Sequence, residues 1–282
     1  MNGVDNRIDR RFRELAERGR TALIPYITAG HPRPGATVPV MHALVEHGAD
    51  VLELGVPFSD VMADGPVIQN ACRTALEQGM TLDAVFSAVS GFRRDDATTP
   101  VILMGYMNPV ERRGLARFAS DAAAAGVDGL LIVDCPADEA AGTTRAFHAN
   151  GLHQIFLAAP TTTEARLEKL AEVAGGFVYY VSLKGVTGSA ALDVSTLESA
   201  VARIRAHSKL PVAVGFGIAT PAQAAQVAEC ADAVVIGSAL VSRLDEAGSD
   251  GEAVRIATEF IAGIRAALDG DPASEPTGVA QA

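Results

Sequence analysis

Ionisable side chains are scarce in the short apolar segments that predict β-strands in this sequence, and two carboxyl groups stand out. Glu53 lies within the segment 51–55 and Asp134 follows the segment 129–133, while no lysine, arginine or histidine lies inside such a segment. Side chains alternate between the two faces of a strand, so Glu53 lies on the face opposite its leucine neighbours. Buried there without a cationic partner, Glu53 should have a raised pKa, which suits a group that both takes and gives a proton.

The chain after Glu53 supplies a second carboxyl group. The loop sequence GVPFSD at 55–60 is followed by ADGP at 63–66, after which a helix is predicted to begin. This loop brings Asp64 to the same face as Glu53, and the pair favours acid–base catalysis. Two plainer interpretations stay open. Glu53 could be a core carboxyl hydrogen-bonded to backbone or to a tyrosine, and Asp64 could cap the helix that follows it.

Glycine-rich loops after three predicted strands form another group of candidate residues. They are GVTGS at 185–189, GFG at 215–217 and the pair Gly237-Ser238. Backbone N–H groups at glycines, together with the positive end of a short helix, can bind a phosphate without lysine or arginine. Because all three loops follow strands at one rim, they predict a phosphate site there.

Most aromatic side chains near the same strand ends are expected to be core residues, but some could form the walls of a site for a flat aromatic substrate. They are Tyr26, Tyr106, Tyr179, Tyr180, Phe58 and Phe216. The histidines do not suggest a metal centre, because only His31 is expected at this rim. The other five are expected in helices (His42, His47, His148 and His207) or just before the fifth strand (His153).

Eight apolar segments alternate with stretches of helical periodicity along the chain. They lie near residues 22–28, 51–55, 101–106, 129–133, 154–158, 177–182, 212–215 and 233–237. Strands this uniformly apolar are covered on both faces, which predicts an α/β fold: a (β/α)8 TIM barrel in one domain, residues 1–269. An open doubly wound sheet is less favoured, because Gly30-His31-Pro32 follows the first strand where a glycine-rich phosphate turn would be expected.

Three further segments complete the domain organisation. Residues 7–20 combine arginines with apolar residues at helical spacing, which predicts a helix before the first strand. The interval between the second and third strands is about twice the usual length and predicts two helices, near 67–77 and 82–93. Residues 270–282 are rich in proline, glycine and alanine and predict a disordered tail.

Composition argues against several classes of protein. A net charge of −11 over 282 residues does not favour a nucleic-acid-binding surface, and no apolar run is long enough to span a bilayer. Cys72, Cys135 and Cys230 are too scattered for a disulfide framework or a metal site. These observations favour a protein of the cytoplasm.

Several motifs together resemble the tryptophan synthase alpha chain family. They are PYITAG at 25–30, ELGVPFSD at 53–60, ADGP at 63–66 and GVTG at 185–188, and the similarity runs through nearly the whole chain. The resemblance implies a lyase that cleaves indole-3-glycerol phosphate into indole and glyceraldehyde 3-phosphate. It also implies that this chain has no cofactor, and that its partner is a pyridoxal-phosphate-dependent beta subunit in an alpha-beta-beta-alpha heterotetramer.

The resemblance assigns roles to individual residues as well. It implies catalysis by Glu53, Asp64 and Tyr179. The positions similar to the family's substrate-lining residues are Tyr26, Tyr106, Thr187 and Phe216, and those similar to its phosphate-binding residues are Gly188, Gly217, Gly237 and Ser238. Three departures from the family's pattern are Val61 where proline is usual, His31 where Asp or Asn is common, and Leu183-Lys184 before the loop glycine.

Two other functions are compatible with a barrel. A Schiff-base aldolase would use Lys184, but a lysine beside a loop glycine lacks the fixed, desolvated surroundings that a nucleophilic lysine needs. A barrel that only regulates a partner enzyme would be expected to lack Glu53 or Asp64.

The second loop also predicts an apolar surface covered by substrate, a lid or a protein partner. That surface would comprise Val56, Pro57, Phe58, Val61 and Met62.

Overall fold

Eight parallel strands close into a barrel in the order in which they occur along the chain. The computed structural model describes residues 4–181, 194–215 and 217–270. The strands are β1 (Ala22–Thr28), β2 (Leu52–Gly55), β3 (Val101–Gly105), β4 (Gly129–Ile132), β5 (His153–Ala158), β6 (Val178–Val181), β7 (Val212–Gly215) and β8 (Ala233–Ile236). The predicted (β/α)8 barrel is confirmed, and described strand bounds agree with the predicted bounds to within one residue.

Helices lie around the outside of the barrel and across its amino-terminal end. They are α1 (Arg7–Glu17), α2 (Thr37–Glu46), α3 (Pro66–Glu77), α4 (Leu82–Phe92), α5 (Met107–Arg113), α6 (Leu115–Ala125), α7 (Ala141–His148), α8 (Glu164–Val173), α9 (Val194–His207), α10 (Pro221–Ala228), α11 (Ser238–Leu244) and α12 (Asp250–Leu268). The helices predicted between the second and third strands are confirmed as α3 and α4. Within the described ranges, no helix is both long and apolar enough to cross a membrane.

Helix α1 closes the amino-terminal end of the barrel. Asn6 caps this helix reciprocally with Asp9, which fixes where the helix begins. Ile8, Phe12 and Leu15 lie on one face and pack against the inward-facing residues of the strands. The predicted amino-terminal helix is confirmed, and its apolar face closes one end of the barrel, leaving the opposite rim for chemistry.

Charged side chains at the amino-terminal end are paired. The buried carboxylate of Asp128 lies 2.9 Å from an Arg7 nitrogen and 2.8 Å from an Arg93 nitrogen. His153 is the first residue of β5, where it pairs with Gly129, so the prediction that it precedes the strand is wrong. Its ring bonds the Asp9 carboxylate at 2.6 Å. These pairs link α1 to the start of β4 and to β5 at the closed end of the barrel.

Candidate active site

Glu53 lies inside the barrel, near the carboxyl ends of the strands. It pairs with Tyr26 of β1 and Ile102 of β3, and it is 4% exposed. Burial, and secondarily the negative charge of Asp64, raise the pKa of Glu53 from 4.5 to about 8, which confirms the expected direction. Among the described residues none hydrogen-bonds to the Glu53 side chain, so the interpretation as a hydrogen-bonded core carboxyl finds no support.

Asp64 lies in the loop between β2 and α3, half-buried beside Tyr106. The Tyr106 hydroxyl donates to Oδ2 of Asp64 at 2.7 Å, and the same hydroxyl oxygen accepts the Ala63 N–H at 3.0 Å. The residue that caps α3 is Gly65, and no side-chain hydrogen bond caps the helix, so the capping interpretation of Asp64 is wrong. Burial raises the pKa of Asp64, and the hydrogen bond from Tyr106 opposes that rise. Tyr106 was predicted as a residue of the rim, and its hydrogen bond also holds the Asp64 side chain in place.

The phenol rings of two tyrosines each lie against a glycine of a neighbouring strand. A Cβ atom added to Gly55 would lie 2.1 Å from the Tyr26 hydroxyl oxygen, and one added to Gly215 would lie 2.3 Å from that of Tyr179. Glycine is needed at both positions, because any side chain would collide with a phenol. The Tyr26 hydroxyl also shares a 3.1 Å hydrogen bond with Thr28.

Tyr179 packs on the inner wall of the barrel, where the charges of both carboxyl groups act on it. Burial raises its pKa well above 10, and the charges of Glu53 and Asp64 add to the rise. The pKa of Tyr26 is raised for the same main reason, with smaller contributions from the same carboxylates. The structure thus brings together the three predicted catalytic residues and Tyr26.

Two apolar residues of the inner wall were not singled out from the sequence. Leu157 is 36% exposed although it lies in β5, two residues after the interior residue Ile155 and opposite Tyr179. Met104 of β3 packs against the cluster that contains Tyr26. Strand alternation could have found both, but a search for ionisable and aromatic side chains passes over them.

Two of the three glycines predicted to hold phosphate, Gly217 and Gly237, lie at the same rim. Gly217 follows β7, is exposed and has a φ of 77°. Gly237 and Ser238 follow β8, the neighbour of β7, and α11 begins at Ser238. A Cβ added to Gly237 would lie 3.4 Å from Cβ of Tyr26, which places this glycine next to the inner wall. Thr187, Gly188, Phe216 and Lys184 lie outside the described residues.

Two predictions about apolar side chains need correction. Tyr180 packs in the outer core between barrel and helices, because it alternates with the inward-facing Tyr179, so it does not line the rim. In the second loop Val56 and Val61 are buried within the chain itself. Met62 is the large apolar residue that is exposed there, at 77%, so the surface open to a partner is smaller than predicted.

Metal ligands are not clustered in the part of the chain that the structure describes. His31 lies at the rim, as predicted, and its ring bonds Asp245 at 3.0 Å. Asp134 accepts the Met107 N–H at 2.7 Å and takes part in the start of α5. Glu53 and Asp64 are the carboxyl groups at this rim whose pKa values are raised by burial.

Comparison with known proteins agrees with this geometry. The family model described as the tryptophan synthase alpha chain matches residues 12–267. The chain belongs to the tryptophan synthase alpha chain family. As a member of that family it is an enzyme subunit that cleaves indole-3-glycerol phosphate in tryptophan biosynthesis.

Several tryptophan synthase alpha chains are similar over their whole length. The protein from Thioalkalivibrio sulfidiphilus is 55% identical, over 94% of this chain and 100% of the relative. The protein from Alkalilimnicola ehrlichii is 57% identical, over 94% of this chain and 97% of the relative. A crystal structure of tryptophan synthase subunit alpha from Legionella pneumophila has a TM-score of 0.88 at 45% identity, covering 94% of this chain and 99% of that one.

Proposed function

We propose that Glu53, Asp64 and Tyr179 are the catalytic residues with which this chain cleaves indole-3-glycerol phosphate into indole and glyceraldehyde 3-phosphate. The observation that carries the proposal is a carboxyl group buried inside the barrel, with its pKa raised to about 8, next to a second carboxyl group on a loop. Two carboxyl groups with different surroundings can serve as acid and as charged acceptor at the same pH.

The raised pKa determines how Glu53 begins the cycle. Near pH 7 its carboxyl group is mostly neutral, so it gives its proton to C3 of the indole ring. The ring becomes a cation, and the Glu53 carboxylate then takes the proton of the adjacent glycerol hydroxyl. As that proton leaves, the bond between C3 and the glycerol carbon breaks, its electrons return to the ring, and an aldehyde and neutral indole form. Glu53 is again protonated at the end of the turnover.

The carboxylate of Asp64 supplies a negative charge next to the nitrogen of the indole ring. This carboxylate already accepts a hydrogen bond from Tyr106, which favours the ionised form, and its other oxygen can accept the indole N–H. A negative charge there stabilises the ring while it is cationic. Tyr179, on the same inner wall, packs or hydrogen-bonds against the reacting part of the substrate.

The remaining rim residues divide between the two ends of the substrate. We assign the phosphate to the backbone N–H groups at Gly188, Gly217, Gly237 and Ser238, and the indole ring to Tyr26, Tyr106, Thr187 and Phe216. Leu157 and Met104 add apolar surface to the ring site, as their places on the inner wall allow. The N–H groups of Ser238 and Ala239 lie at the start of α11 and have no acceptor within the helix, whereas the N–H groups of Leu240 and Val241 bond the Gly237 carbonyl.

Family membership supports a proposal for the partner and the compartment. We propose a beta subunit that carries pyridoxal phosphate, assembled with this chain as an alpha-beta-beta-alpha heterotetramer in the cytoplasm. Met62, 77% exposed on the loop that carries Asp64, is apolar surface suited to burial by that partner. A partner that covers this loop would exclude water from Asp64 and so couple assembly to turnover.

Turnover of three carboxyl variants tests the catalytic assignment. Glu53→Gln and Asp64→Asn should each lower kcat for indole release by about two orders of magnitude or more, since each removes a proton-transfer or charge-stabilising group. Asp60→Asn is the matched control, because Asp60 is an exposed carboxylate of the same loop. Near-native kcat in folded Glu53→Gln would overturn the assignment.

A further inference from the structure

The segment between β1 and α2 is bonded to two separate parts of the rim. Residues 29–36 make up this segment, which follows the strand that carries Tyr26. On one side, Gln78 at the end of α3 donates to the Pro32 carbonyl at 2.8 Å. On the other, Arg33 donates to the Gly248 carbonyl at 2.7 Å, in the connection between α11 and α12. The segment therefore braces α3, which follows the Asp64 loop, against the end of α11.

The His31 side chain of this segment contacts the end of α11. Its side chain is 1% exposed, and Nε2 lies 3.0 Å from Oδ1 of Asp245, the residue that ends α11. The other ring nitrogen, Nδ1, is buried and has no hydrogen-bond partner among the described residues. The bond to Asp245 is thus the polar interaction that orients the ring.

Helix α11 connects Asp245 to the proposed phosphate residues. It runs from Ser238 to Leu244, so one end carries the backbone donors and the other ends at Asp245. In its middle Val241 packs with Ala71 of α3 and with Tyr26. A short helix moves as a unit. Leu240 and Leu244 anchor the helix in the outer core, and Arg33 bonds the chain just beyond it. The bond from His31 is the side-chain contact at Asp245, the end of α11 opposite the phosphate residues.

We propose that His31 and Asp245 are a positioning pair for the phosphate end of the substrate. The inference rests on the proposed phosphate contacts at Gly237 and Ser238. If the pair is broken, α11 loses the side-chain bond that fixes its far end against the segment after β1, and a small shift of the helix moves the amide donors away from the phosphate oxygens. Glu53 is held by β2 and keeps its place, so binding weakens while the chemical step is retained.

Two disruptive and two conservative variants test the pair. His31→Leu removes the donor and Asp245→Ala removes the acceptor. His31→Gln can still donate from a similar position, and Asp245→Asn can still accept. We expect the disruptive variants to raise KM for indole-3-glycerol phosphate and the inhibition constant of glycerol 3-phosphate about three- to tenfold, with kcat changed less than about twofold. The conservative variants should restore both constants, and the disruptive double variant should be no worse than either single one.

Controls separate positioning from general stability. Asp9→Ala breaks a matched carboxylate–histidine pair at the opposite end of the barrel, so it should lower Tm and leave both constants unchanged. The side chain of Asp245 is 53% exposed, so Asp245→Ala creates no cavity and keeps the test valid if His31→Leu fails to fold.

The outcomes separate this inference from the phosphate site on which it rests. Unchanged constants in Asp245→Ala, or a loss confined to kcat, would overturn the positioning role. Gly237→Val should weaken binding of glycerol 3-phosphate. If it does so while the pair variants do not, only the pair is refuted. If Gly237→Val has no effect either, the phosphate site itself is misplaced.

Discussion

The raised pKa of Glu53 predicts that this residue destabilises the folded protein at alkaline pH. A carboxyl group whose pKa is about 8 in the folded protein and 4.5 in the unfolded chain binds more protons when folded, at every pH between these values. The free energy of unfolding must therefore fall as the pH rises through this interval. Glutamine at position 53 cannot ionise, so Glu53→Gln removes this pH dependence.

The size of the effect follows from the two pKa values. Glu53 is 4% exposed, so little of its desolvation is relieved by solvent. Between pH 5.5 and pH 8.5 the ionisation of Glu53 should lower the free energy of unfolding by about 3 kcal/mol, at roughly 1.4 kcal/mol per pKa unit. Any constant cost of burying the glutamine amide is the same at both pH values and cancels in the comparison.

Urea denaturation of wild type and Glu53→Gln at the two pH values measures this difference. Relative to wild type, the variant should be about 3 kcal/mol more stable at pH 8.5 than it is at pH 5.5. Thr28→Val serves as the control, since it changes a buried, uncharged residue of the same rim and its effect should not depend on pH. Equal effects of Glu53→Gln at both pH values would refute the claim that Glu53 is buried and neutral near pH 7.

Three further predictions concern activity. In wild type, kcat/KM should fall as the pH rises through about 8, because the neutral Glu53 that starts the cycle is lost; a profile that rises there would mean that Glu53 starts as a base. Tyr106→Phe removes the hydrogen bond that holds Asp64, so kcat should fall about tenfold, less than in Asp64→Asn, and Tyr180→Phe in the outer core is the matched control. Gly217→Val places a side chain where φ is 77°, so it should raise KM for the phosphorylated substrate severalfold. If glycerol 3-phosphate inhibits this variant as strongly as it inhibits wild type, the phosphate is bound elsewhere.

The architecture could be predicted because its signals are local. Uniformly apolar segments separated by helical periodicity require strands covered on both faces, and the strand bounds agree to within one residue. Alternation also places Glu53 inward, since Leu52 and Leu54 must face the helices. Burial without a cation then gives the direction of its pKa shift before any coordinates are known.

Contacts between distant parts of the chain could not be predicted in this way. An Asp-Gly-Pro sequence fits a helix cap as well as a catalytic loop, and the contact that decides is with Tyr106, 42 residues away. The burial of Val61 depends likewise on a cluster with Cys72 and Tyr106. Leu157 carries no chemical group that marks it, so a search for reactive side chains passes over it, and its register with Tyr179 then shows that it belongs to the inner wall.

Proton transfer from Glu53 to C3 of indole is the central claim, and hydrogen exchange at that carbon tests it most directly. Indole and glycerol 3-phosphate, bound together, occupy both ends of the site without reacting, and proton NMR in D2O follows the replacement of the C3 hydrogen by deuterium. Wild type should accelerate this exchange well above the rate in buffer, Asp60→Asn should match wild type, and Glu53→Gln should fall to the buffer rate. Exchange in Glu53→Gln as fast as in wild type would contradict the account.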